Sequence, residues 1–121
     1  MASSTLELAS NVLEDGDGSE YLRVHEFTDD VEAHDDARTD ELYSEFEADV
    51  DRIAAELSGK YGPPAATGGR DTEDHELVQL GGVIRFAMWQ VEGHVLYIAA
   101  SHEDRGLPVL LMLGAAPGRA A

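Results

Sequence analysis

Leu42-Tyr43-Ser44-Glu45-Phe46-Glu47-Ala48-Asp49-Val50-Asp51-Arg52-Ile53-Ala54-Ala55-Glu56-Leu57 is the stretch whose pattern decides the fold. Leu42, Phe46, Val50, Ile53 and Leu57 recur at steps of 4, 4, 3 and 4, the period of one face of an α-helix. Tyr43, Ala54 and Tyr61 widen that stripe. The pattern predicts a helix over 38–58, roughly 30 Å long at ~1.5 Å per residue. Asp36 or Thr39 suits the N-cap, and Asp40 and Glu41 suit the first turn's dipole. Gly59 and Gly62 allow a left-handed stop, and Pro63-Pro64 prevents continuation. Glu41, Glu45 and Asp49 follow one another at i, i+4 on the outer side, beside Glu47, Asp51 and Glu56. Like charges at this spacing oppose a helix by about 0.2–0.5 kcal/mol per pair, so the cluster calls for a reason.

Downstream, 63–75 is rich in Pro, Gly and small residues and reads as a loop. Glu76–Leu80 reads as a short strand, and Gly81-Gly82 as a bend or bulge. Val83–Val91, His94–Ser101 and Leu107–Leu113 then read as an antiparallel meander, with Glu92-Gly93 as a two-residue turn. With Val91 opposite His94, Trp89 meets Leu96 and Ala87 meets Ile98 on one face. Met88 meets Tyr97 and Phe86 meets Ala99 on the other. Both faces are apolar. The helix covers one; the other calls for the N-terminal segment or another chain. Trp89, the single tryptophan, is expected in the core.

Upstream, Leu6 and Leu8 alternate, which suggests a strand over 5–13. Asp15-Gly16-Asp17-Gly18 then reads as a hairpin turn into a second strand, Tyr21–Phe27. Residues 28–37 are an acidic connection. The expected architecture is α+β: an antiparallel sheet, built from an N-terminal hairpin and a C-terminal three-stranded meander, with one long helix packed on one face. A single domain over 1–114 and a flexible tail over 115–121 are expected.

The 121 residues include 25 acids, 8 bases and no cysteine, for a net charge of −17. A disulfide framework, a thiolate nucleophile and a Cys-ligated zinc site are thereby excluded. So strong a negative charge argues against binding nucleic-acid phosphate or an anionic membrane. No run of 18 apolar residues is present, and the first residues do not read as a signal peptide, so a cytoplasmic location is expected.

Motifs that carry chemistry are weak. Asp15, Asp17, Ser19, Tyr21 and Glu26 fall at EF-hand positions, but Glu20 stands where that loop needs glycine, so the hairpin reading is preferred. His25, His34, His75, His94 and His102 lack the spacing of metal ligands. There is no nucleophile elbow, dinucleotide fingerprint or Walker loop. No catalytic residue, metal or cofactor is expected.

Leu57-Ser58-Gly59-Lys60-Tyr61-Gly62-Pro63-Pro64 closes the helix in an L-x-x-x-Y-G-x-P pattern. Trp89 through Leu113 supplies a Trp strand, a Gly turn, a strand ending Ser101-His102-Glu103-Asp104, and then Leu107-Pro108-Val109-Leu110-Leu111. Over these residues, about half the chain, the sequence resembles small acidic α+β immunity-type proteins of actinobacterial polymorphic toxin systems. The resemblance implies a non-enzymatic protein that neutralises a toxin by covering its active site. The preference for arginine over lysine, with 16 alanines and 12 glycines, agrees with a GC-rich genome.

The charge is concentrated in 26–56, where 13 acids face only Arg38 and Arg52. Solubility, adaptation to high salt and a basic partner all account for acidic surface. High salt would acidify the C-terminal half as well, which is only mildly acidic. The functional expectation is an acidic interaction protein that binds and neutralises or sequesters a basic protein, a toxin among the candidates. Asp29, Asp30, Glu32, Asp35, Asp36, Glu41, Glu45 and Asp49 are its expected contact residues. Two alternatives stand beside it: a small-ligand-binding or enzymatic domain using the open sheet face, and a homodimer joined through that face.

Overall fold

Two helices pack on one side of a five-stranded antiparallel sheet in the computed structural model, which describes residues 5–27, 34–69, 83–102 and 107–118. In chain order the elements are α1 (Thr5–Asp15), β1 (Gly18–His25), α2 (Asp36–Tyr61), β2 (Ala66–Gly69), β3 (Val83–Val91), β4 (His94–Ser101) and β5 (Val109–Pro117). The strands lie in the order β1-β5-β4-β3-β2. The α+β class, the antiparallel sheet and the long packed helix agree with the sequence reading.

The stripe on α2 is buried at all five positions. The helix is longer than its apolar period, because both ends are set by caps outside the stripe. Asp35, rather than Asp36 or Thr39, is the N-cap, and its Oδ1 accepts the Arg38 backbone N–H at 3.1 Å. Gly59 stays helical. Gly62 ends the helix at φ +84°, with its N–H donated to the Ser58 carbonyl at 2.9 Å. The Gly62 carbonyl accepts the indole N–H of buried Trp89 at 2.8 Å, which ties the end of α2 to β3.

The β3–β4 register is the expected one, with Val91 opposite His94, Trp89 opposite Leu96, and Met88 opposite Tyr97. Glu92 and Gly93 both have positive φ, 49° and 83°, as a two-residue turn matched to strand twist requires. β5 completes the meander and runs beyond Leu113. Ala115, Ala116 and Pro117 pair with β4, so they belong to the sheet and not to a tail. Ala66–Gly69 pairs with β3 and is a strand where a loop was expected. Its pattern of small residues carries no strand signal, and pairing with β3 decides it. The strand expected at 76–80 lies outside the described residues.

The N-terminal hairpin is overturned. Residues 5–15 form a helix, and β1 pairs with β5, with Gly18 opposite Ala115 and His25 opposite Val109. The alternation at Leu6 and Leu8 covers only two positions. Leu8, Ala9, Val12 and Leu13, by contrast, form one helical face, and Ala9 and Val12 are fully packed. Gly16, at φ +79°, donates its N–H to the Val12 carbonyl at 3.0 Å. The Asp-Gly repeat is thus a helix stop followed by a strand start.

Both helices sit on the same sheet face. Their apolar sides meet Trp89, Leu96, Ile98, Val109, Leu111 and Leu113 in the main core. On the opposite face Phe86, Met88, Val95 and Ala99 form a second buried cluster.

Candidate functional site

The acids of α2 stand among arginines. From β1, Arg23 reaches Asp49 Oδ2 with Nη1 at 2.8 Å and Glu45 Oε1 with Nη2 at 3.1 Å. Its guanidinium lies 4.6 Å from the centre of the Phe46 ring. Arg38 approaches Glu41 at 3.1 Å and Glu45 at 3.7 Å, and Arg52 approaches Asp49 at 3.5 Å and Glu56 at 3.6 Å. From β3, Arg85 meets Asp51 at 2.7 Å and Glu47 at 3.7 Å. Every acid from Glu41 to Glu56 therefore has an arginine within 4 Å. Two of those arginines come from the sheet, and the helical periodicity holds no trace of them. They offset the like-charge repulsion that the i, i+4 spacing imposes.

Of the eight expected contact residues, Asp29, Asp30 and Glu32 lie outside the described residues. Asp35 caps α2, and Asp36 opens it. Glu41, Glu45 and Asp49 belong to the ion-pair ladder. The structure does not gather these five into one patch: Asp35 and Asp36 sit at the helix start, and Glu45 and Asp49 lie two turns and more along, turned toward β1.

A pocket does form at the start of α2. Asp36, Thr39, Asp40 and Tyr43 stand at i, i+3, i+4 and i+7, so they share one side of the first two turns. With His102, just beyond β4, they line a cavity of about 380 Å³. Asp40 has no ion pair among the described residues, unlike every acid from Glu41 to Glu56.

His102 is only 8% exposed. Its Nδ1 lies 2.7 Å from the Tyr43 hydroxyl oxygen, and its ring packs against Phe27 and Tyr43 with centroids 5.4 and 5.7 Å away. Nε2 is buried and has no hydrogen-bond partner among the described residues. Whichever atom donates in the Tyr43 bond, one imidazole nitrogen remains unsatisfied.

This arrangement suits a cation. Carboxylates, a hydroxyl and an aromatic ring on one wall are the groups that hold an ammonium or a guanidinium. Among the described residues no three of His, Asp and Glu converge closely enough to hold a metal ion. Asp40, Thr39 and His102 were not singled out as a site from the sequence. The spacing of Asp36, Asp40 and Tyr43 was a visible signal, but Tyr43 read as an extension of the core stripe. The approach of His102, 59 residues away from Tyr43, is purely tertiary.

No known family matches the chain, and no curated protein or solved structure is detectably similar to it.

Proposed function

We propose that this chain is a non-enzymatic interaction protein for a basic protein, and that the pocket at the start of α2 receives a lysine or arginine side chain of that partner. One observation carries the reading. The chain's own arginines reach each acid from Glu41 to Glu56, while Asp40 has none among the described residues and lines a cavity with room for a long side chain. The remaining net charge steers a basic partner toward the molecule, and the pocket supplies an anchor. The neutralising role implied by the resemblance to immunity-type proteins fits this chemistry, with a basic toxin as the partner.

The reading is tested by NMR titration with Nα-acetyl-arginine amide, a probe for the anchor alone. Shifts are expected at Asp36, Asp40, Tyr43 and His102, and the Asp36→Asn/Asp40→Asn variant should abolish them. Shifts spread along 41–56, or none at saturating probe, would reject the pocket as the anchor. With a basic partner captured at low ionic strength, Asp40→Lys should weaken binding at least ~10-fold, and added salt should shrink that deficit.

A further inference from the structure

Among the described strand residues, those on the sheet face turned away from the helices are uncharged, and Asp17, in the turn before β1, is the charge that acts on Tyr97 there. Between the β3 bulge and the other edge, the described positions of that face are Ser19, Tyr21 and Val24 on β1; Leu110, Met112, Gly114 and Ala116 on β5; and Val95, Tyr97, Ala99 and Ser101 on β4. Val83, Phe86, Met88 and Gln90 on β3 and Ala66 and Gly68 on β2 continue it. In a chain of net charge −17, none of these side chains is ionised at neutral pH. The face also differs across its width. Phe86, Met88, Val95 and Ala99 are buried. At the other end Tyr21 is 61% exposed and Val24 47%, two of the most exposed large apolar side chains among the described residues. Tyr21 pairs with Met112 and Val24 with Leu110, so the four form one contiguous patch, with Met112 and Leu110 half-buried.

We propose that this β1–β5 patch is the contact surface for a second copy of the chain, in a two-fold symmetric dimer. Charge selects the occupant. Two like-charged chains repel wherever their acids approach, and the acids of α2 all lie on the helix side of the sheet. Contact through these uncharged strand residues keeps the two acidic layers on opposite outer sides of the pair. A partner of different sequence is distinguished largely through complementary charge, which this face does not offer. A two-fold contact needs only an apolar patch that meets itself. The patch is small, about a few hundred Å², so the dimer is a weak one.

This proposal stands apart from the basic-partner reading, and salt separates the two. Salt weakens attraction between opposite charges but also weakens repulsion between like ones. The experiment is sedimentation equilibrium of the full chain up to about 0.5 mM, at ~0.05 and ~0.5 M salt. A monomer–dimer equilibrium that tightens severalfold at the higher salt is expected. Val24→Glu should remove it, and Asp40→Lys should not. Tyr21→Ser, at an exposed side chain, serves as a second variant that keeps the fold, checked by its melting curve, and should weaken the dimer at least ~5-fold. A chain that stays monomeric under both conditions overturns the proposal. So does a dimer that loosens with salt, or one indifferent to both patch variants.

Discussion

Arg23 Nη1 lies 2.8 Å from Asp49 Oδ2, bridging the edge strand β1 to the middle of α2. The same guanidinium reaches Glu45 and covers Phe46, so one side chain closes the core, neutralises two carboxylates and holds an edge strand. The hydrogen bond to Asp49 raises the guanidinium pKa above its ordinary value, against the opposing effect of burial. Glu45 and Asp49 are therefore structural partners first, and reversing them would disturb the fold as well as the surface charge.

Replacing Arg23 with alanine should cost about 1–2 kcal/mol, from partly exposed ion pairs plus the ring contact. Lysine should recover only part, since it lacks the fork that serves two carboxylates together. Urea denaturation measures both. An alanine variant within about 0.3 kcal/mol of the parent would show that β1 is held without the bridge.

Gly114 on β5 lies against Tyr97 on β4. A Cβ at Gly114 would collide with the Tyr97 phenol and stand 2.8 Å from the Gly18 carbonyl oxygen. Gly114→Ala should cost about 1–3 kcal/mol through overpacking, and lower the melting temperature by several degrees. Gly59→Ala is the control: nothing stands within 4 Å of its Cβ, and alanine favours the helix there.

Burial holds the Tyr97 phenol above its ordinary pKa of 10.0, and the negative charge of Asp17 adds to this, while a hydrogen bond with Ser19 acts in the opposite direction. The folded state therefore keeps its proton more tightly than the unfolded chain. That contribution is complete below pH ~10 and is lost as pH rises through the folded pKa. Ultraviolet titration should show one tyrosine ionising later than the others. Tyr97→Phe should flatten the fall in stability above pH ~10; an unchanged alkaline profile would contradict the assignment.

Tyr43→Phe leaves His102 with neither nitrogen bonded among the described residues. The expected loss is about 1–3 kcal/mol, the cost of an unmet buried polar group. Adding His102→Leu removes the stranded ring and should restore part of that loss. A double variant no more stable than Tyr43→Phe would show that the imidazole contributes packing alone.

The legible parts of this fold are those whose information is local. The stripe from Leu42 to Leu57 places five residues at four successive helical steps, and all five side chains are buried. The two-residue turn at Glu92-Gly93 sets the β3–β4 register directly, because so short a connection leaves few pairings. The segment 5–13 was ambiguous because two alternating leucines weigh little against a helical face that becomes meaningful only when packed. For the site, Asp35 and Asp36 were read as acidic surface. Asp40 and His102 acquire a role only through where the chain brings them.

By itself the sequence determined the class of the fold, the long helix with its buried side, the strand pairing across the tight turn and the excess of negative charge. All of these follow from residue periods, turn chemistry and composition. Tertiary structure alone decided that residues 5–15 are helical and that β1 pairs with β5, some 90 residues further along. It also decided that Arg23 and Arg85 cross from the sheet to the acids of α2, and that His102 closes a pocket beside Asp40. The physical reason is the same in each case. Strand partners, ion pairs across elements and cavity walls join residues far apart in the chain, and packing, not local propensity, selects them.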